Sequence, residues 1–296
     1  MGDGTYENCY DILSDVREGL HDHSTALVQG TDTAGSVSNT AIIRQINAAQ
    51  RFVHLGVRRR DKGIFIESAD IVGASSVFTL PWDFGSIRLF KDASGNKVFP
   101  VSIESVPNSS GTGNKREYYR KGNTLILTKS GVSDTYTLWY NKKPRDITTG
   151  KAQAGAATSI TLAVSAKMIA DYYNGLGIED KTAAFVDTIT DYSAARVAVI
   201  TNTGVADDYY GIVSELPEPF HFLLAPLAII LMKMQPDAEE PPGKLEVEMW
   251  NAMFIAAMVD YVGSDEDISA ESIWCDYGGM GSGGVNIPGQ GYTIPD

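Results

Sequence analysis

Asp134-Thr135-Tyr136-Thr137-Leu138-Trp139-Tyr140 is the stretch on which the fold turns. Tyr136, Leu138 and Tyr140 alternate with Thr135, Thr137 and Trp139, the period of two that sends successive side chains to opposite faces of a strand. Upstream of it, residues 63–67, 77–80, 87–90, 97–103, 117–120 and 123–128 are short runs of the same kind, separated by turn residues. Together they predict an antiparallel β unit, a meander or small barrel. Residues 107–114, rich in Ser, Gly and Asn, read as an exposed hairpin tip.

Before Gly63 the period is helical. Cys9, Leu13, Val16 and Leu20 recur at helical spacing, with Asp11 and Asp15 in the early turns. Asn39 or Thr40 can cap a second helix that carries Ile42, Ile46, Ala49 and Val53 on one face. After the sheet-forming region, the Thr/Gly/Ala-rich residues 147–158 break the pattern. A second β-rich unit follows, with 159–164, 184–191, 196–201 and 209–213 as strands.

From residue 216 the chain turns helical again, with Leu223, Leu227, Ile230 and Met234 on one stripe, and Pro236, Pro241 and Pro242 then divide it from a last helix. That helix, residues 244–261, has Trp250, Phe254, Ala257 and Tyr261 on one face and Met249, Met253 and Ala256 beside it, a stripe wide enough to predict burial on more than one side. The Gly-rich residues 278–296 predict an extended arm. Val285, Ile287, Tyr292 and Ile294 alternate there as they would in a strand added to a neighbour's sheet.

The expected class is α+β: a helical bundle of N- and C-terminal helices with inserted antiparallel β-barrel or sandwich domains and an extended C-terminal arm. The divisions are residues 1–62 and 216–262 for the helical core, 63–146 and 147–215 for the β units, and 263–296 for the arm.

A formal charge of −13 argues against a broad phosphate-gripping face, which would be basic. Two cysteines, Cys9 and Cys275, make no disulfide framework, and the polar, acidic first ten residues do not resemble a secretion signal, so synthesis in a cytoplasm is expected. The most apolar run, 220–234, includes His221, Pro226 and Lys233 and is too short to span a bilayer, so no membrane partner is expected. The sequence contains no phosphate-cradling GxxxxGK[ST], GxSxG, HExxH or strand-borne GxGxxG. His21 and His23, the pairs Asp207-Asp208 and Glu239-Glu240, and the triplet Asp265-Glu266-Asp267 read as solvated polar groups. No catalytic residue, metal or cofactor is therefore predicted.

Two features invite a binding role. Arg58-Arg59-Arg60 with Lys62 is the densest basic cluster; it either complements a helix C-terminus or contacts DNA or an acidic partner. The doublets Tyr118-Tyr119, Trp139-Tyr140, Tyr172-Tyr173 and Tyr209-Tyr210 put rings on both strand faces, for a two-sided core or for an interface. Trp250, Phe254 and Tyr261 are expected at an inter-subunit or helix-bundle surface, and Val285, Ile287, Tyr292 and Ile294 at an inter-subunit contact.

The chain resembles the head-to-tail adaptor (connector, or head-completion) proteins of tailed bacteriophages. The likeness rests on an ordered set: Ile46-Asn47-Ala48-Ala49 on a helix, Val77-Phe78-Thr79-Leu80-Pro81-Trp82-Asp83 followed by Ser86-Ile87-Arg88-Leu89-Phe90, and the turn Tyr140-Asn141-Lys142-Lys143-Pro144. The segments Ser159-Ile160-Thr161-Leu162, Asp171-Tyr172-Tyr173-Asn174-Gly175 and Thr188-Ile189-Thr190-Asp191-Tyr192 are similar to a β module of phage virion proteins. The resemblance covers residues 10–262 and implies a non-enzymatic virion protein at the head-tail junction. It implies a symmetric ring of about twelve copies, bound to the portal protein above and a tail tube, nozzle or tail-completion protein below, with genomic DNA passing through its lumen without tight binding. The alternatives are a carbohydrate- or receptor-binding β module, from the Tyr/Trp doublets, and a tail hydrolase using some of the carboxylates.

Overall fold

In the computed structural model the described residues are 8–20, 38–105, 116–129, 131–235 and 241–262. They form an α+β protein with four α-helices and several largely antiparallel sheets. The chain divides into two compact units, Arg58–Lys143 and Met1–Val57 with Pro144–Asp296. The second β-rich segment therefore belongs to the same unit as the terminal helices.

That composite unit opens with α1 (Cys9–Gly19). The Asn8 side chain caps it, accepting from Tyr10 N (2.8 Å) and Asp11 N (3.2 Å). Gly211 lies so close beneath that a Cβ there would sit 2.1 Å from Asn8 Oδ1, so only glycine fits. The second helix, α2 (Asn39–Arg60), is capped not by Asn39 or Thr40 but by Ser38, whose Oγ accepts from Ala41 N at 3.2 Å. Asn39 Oδ1 is engaged elsewhere: it accepts from Nε of the buried Arg17 of α1 at 3.1 Å.

The described residues of the unit Arg58–Lys143 form seven strands. β1 (Ile66–Val72), β2 (Val77–Thr79) and β3 (Phe84–Lys91) are followed by β4 (Phe99–Pro100) and, where a longer strand is predicted, a 3-10 turn at Ile103–Ser105. β5 (Glu117–Lys121), β6 (Thr124–Leu127) and β7 (Thr135–Lys142) complete it. One sheet has the order β1-β7-β3 and the other β2-β6-β5-β4, the short β4–β5 pairing being parallel. Both contribute to a single core containing Phe78, Leu125 and Leu127 from one and Phe90, Tyr136 and Leu138 from the other. Among the described residues neither sheet closes into a barrel.

β7 is central because its alternation is the most complete: Tyr136, Leu138 and Tyr140 are buried while Thr135 is exposed. The Phe78 ring meets Tyr136 edge-on at 4.8 Å and Phe90 at 5.8 Å. It also crosses Gly73, where a Cβ would lie 2.5 Å from the ring. Two register shifts between β3 and β7, at Phe84/Ser86 and Ile87/Leu89, bend that edge of the sheet.

Past Pro144 the described residues form eight short strands. β8 (Thr149–Lys151) and β9 (Ala154–Ala156) fall where the sequence predicts a break, and β11 (Gly177–Asp180) where it predicts no strand. The others are β10 (Ser159–Thr161), β12 (Phe185–Thr188), β13 (Asp191–Tyr192), β14 (Val197–Val199) and β15 (Tyr209–Ile212). They build two four-stranded sheets, β13-β14-β10-β9 and β12-β11-β15-β8, and α1 packs on β8 and β15. A 3-10 helix at Glu218–Leu223 then leads into α3 (Leu224–Lys233) and α4 (Lys244–Val262), with α3 against both α1 and α4.

Candidate functional site

The first half of α2, the returning segment at residues 146–153 and the loop at 163–167 enclose a cleft of about 510 Å³. Buried amides of α2 hold its floor. Asn47 Nδ2 donates to Ile147 O at 3.0 Å and its Oδ1 accepts from Ile147 N at 2.8 Å, satisfying both backbone groups of one residue. One turn on, Gln50 Nε2 donates to Arg145 O at 2.6 Å, while its Oε1 accepts from Ser214 Oγ, also at 2.6 Å. Asn47 belongs to the Ile-Asn-x-Ala pattern; its role is to clamp the chain where it re-enters this unit.

The charge lining the cleft runs against that of the whole chain. Among the described residues that line it, four cations, Arg44, Arg51, Lys151 and Lys167, face one carboxylate, Asp146. Asp146 pairs with Arg51 and, at 2.8 Å, with Lys167. Lys151 reaches the exposed Asp207 at 3.2 Å, a contact that water weakens. Arg44 is exposed and pairs with no carboxylate among the described residues. The Tyr172 hydroxyl accepts from Asp146 N at 2.8 Å, and burial pushes this phenol up to about 12. The lip carries an apolar side chain out in solvent, Val164, at 72% exposure. Chemically the cleft suits a carboxylate-bearing chain with some apolar surface: cations for the charge, Val164 and Ile43 for the rest. Its cations are scattered over more than a hundred residues of sequence, so no local pattern announced them.

The expected contact residues fall into three places. Trp250 and Phe254 are buried within this one chain, at 0% and 2% exposure, and so present no free surface to a neighbour. Tyr261 is half-buried against the Phe220 ring at 5.5 Å. Val285, Ile287, Tyr292 and Ile294 lie outside the described residues. The face of α4 that is open is the other one: Leu245, Met249, Ala252, Ala256 and Val259 form an exposed stripe at helical spacing. The sequence placed Met249 and Ala256 in a buried stripe, whereas the buried set is Val247, Trp250, Phe254, Ala257 and Met258.

The basic cluster ends α2, with Arg59 and Lys62 exposed and Arg58 and Arg60 half-buried, where cations complement the helix dipole. Arg88 joins it by donating to Lys62 O at 2.8 Å. In the aromatic doublets one ring always goes inward: Tyr118, Tyr140 and Tyr210 are buried, and both Tyr172 and Tyr173 are. Lys91 covers Trp139 at 5.0 Å.

His21, His23, Glu239, Glu240, Asp265, Glu266 and Asp267 lie outside the described residues. Asp207 and Asp208 do not share the solvated character expected of them: Asp207 is exposed, but Asp208 is buried. Burial, then the charge of Asp180, a hydrogen bond with Asp180 and the charge of Asp207 raise the Asp208 pKa above the ordinary carboxylate value. Among the described residues no group of three or more His, Cys, Asp or Glu could hold a metal ion.

A raised carboxylate pKa contributes stability only while the group is protonated, below its unfolded value, and that contribution is lost as pH rises through the folded value. Asp208 therefore costs stability at neutral pH. Asp208→Asn, whose amide can donate to Asp180 at any pH, is expected to melt higher than the parent at pH 7, with the gap closing as pH falls toward 4. Thermal scans across that range check it, and a variant less stable than the parent at pH 7 would contradict it.

Comparison of the chain with protein-family models and with curated proteins gives no match. The cleft, the open stripe of α4 and the basic end of α2 are thus the features from which a function is read.

Proposed function

We propose that the chain is a non-enzymatic structural protein of a tailed-phage particle, an adaptor whose copies form a ring joining the portal to the tail. The observation that carries this reading is the open apolar stripe of α4, backed by a helix face already filled with Trp250 and Phe254. A helix apolar on two opposite sides calls for cover on both, and among the described residues only one side of α4 is covered. In the proposed ring α4 lies at the seam between neighbouring copies and completes a bundle with the N-terminal helices. The acidic composition suits a lumen that passes DNA without holding it. The particle's portal protein and a tail tube, nozzle or tail-completion protein are the proposed neighbours.

Native mass spectrometry and mixing with the portal protein test this. The parent chain is expected to assemble into a closed ring, alone or on the portal. Met249→Lys with Val259→Lys, on the exposed stripe, should abolish assembly while leaving the monomer's melting temperature within a few degrees, as surface changes do. A chain that stays monomeric at high concentration and ignores the portal, or a double variant that assembles normally, would remove the reading.

A further inference from the structure

The cleft beside α2 and the end of the chain are complementary in charge. Residues 263–296 contain no Lys, Arg or His. Their first part, Ser264-Asp265-Glu266-Asp267-Ile268-Ser269-Ala270-Glu271-Ser272-Ile273-Trp274-Cys275-Asp276-Tyr277, combines five carboxylates with Ile268, Ile273, Trp274 and Tyr277. The cleft offers the opposite: among the described residues that line it, Arg44, Arg51, Lys151 and Lys167 face the single carboxylate Asp146, in a chain whose overall charge is −13, with Val164 exposed at its lip. We propose that this cleft is the docking site for the acidic segment 264–277 of the same chain.

Reach permits it. Arg51 lines the cleft, and the next residue, Phe52, sets its ring 5.6 Å from that of Trp250 in α4. From Trp250 to its end α4 rises only about 18 Å, and an extended segment of this length spans up to about 45 Å. The acidic residues begin three positions after Val262, where α4 ends, so no second copy is required to deliver them. Tethering also raises the segment's effective concentration at the cleft to the millimolar range or so, which lets a few screened ion pairs and one or two apolar contacts suffice. This reading does not depend on ring formation.

Zero-length carbodiimide cross-linking of the full-length protein, read by peptide mass spectrometry, tests it directly. The expected links join Lys151 and Lys167 to Asp265, Glu266, Asp267 or Glu271, and they fall about tenfold between low and molar salt as the pairs are screened. In an equal mixture of unlabelled and 15N-labelled chains the linked peptides should be of one isotope. Arg44→Glu with Lys151→Glu should reduce the Lys167 links by about tenfold, provided the variant melts like the parent; the salt and isotope measurements on the parent stand whether or not it does. Links from residues 265–271 spread evenly over Lys62, Lys121, Lys129 and Lys151 would overturn the proposal. So would links only between isotopes, or links indifferent to salt.

Discussion

Trp250→Ala is expected to lower the unfolding free energy by about 3–5 kcal/mol, the range for emptying a large aromatic site in a packed core. The indole is fully buried, stacks on Phe254 at 5.6 Å with planes 25° apart, and meets Phe52 edge-on at the same distance. Its Nε1 donates to Leu223 O at 3.1 Å, so the substitution also leaves a buried carbonyl without that donor. Denaturant unfolding monitored by circular dichroism measures the loss. Met249→Ala, one residue earlier on the exposed stripe, serves as contrast and should change monomer stability by less than about 0.5 kcal/mol. Equal effects at the two positions would mean that the burial pattern of α4 is not the one described.

Glu215→Leu is expected to cost about 3–5 kcal/mol, because it strands a buried cation. Arg145 and Glu215 form an ion pair with side chains only 14% and 7% exposed, Nε to Oε2 at 3.1 Å. Glu215 Oε1 also accepts from the Arg145 backbone N at 2.6 Å, so the carboxylate holds main chain as well as side chain. Arg145 Nη1 goes on to donate to Asn174 O at 2.6 Å, fixing the turn after Tyr173. Arg145→Leu should be similarly damaging. The two together should cost clearly less than the sum of the single changes, since each single variant leaves the other group buried without its partner. Additive losses in the double-mutant cycle, or single losses under about 1 kcal/mol, would place the pair at the level of a surface contact.

Where one face of an element is buried and the other wet, the sequence was readable. Tyr136, Leu138 and Tyr140 announced β7, and Ile42, Ile46, Ala49 and Val53 announced α2. β8, β9 and β11 were not legible, because Thr149-Gly150-Lys151, Ala154-Gly155-Ala156 and Gly177-Ile178-Glu179-Asp180 have, apart from the buried Ile178, small or polar side chains and draw their order from neighbouring strands. In α4 both faces are apolar, and composition alone does not say which one the chain itself covers; the rings of Phe52 and Phe220 decide it. The cleft is not legible in the sequence for a related reason. Asn47 and Gln50 look like ordinary helix polar residues until their partners, a hundred and about as many residues away, are in place.

That separation bears on how the protein is made. During synthesis α1 and α2 leave the ribosome with their apolar faces complete but without the residues that cover them: Ile147, β15, α3 and Trp250 all follow the two sheets of β1–β7. These two sheets share their own core and can condense as a unit as soon as β7 emerges. The helices, translated first, must be completed last, since the Asn47–Ile147 clamp closes only after the whole intervening excursion. For that interval the nascent chain carries an uncovered apolar surface on α1 and α2, so it is these helices, and not the β-rich segment that follows them, that call for protection by chaperones.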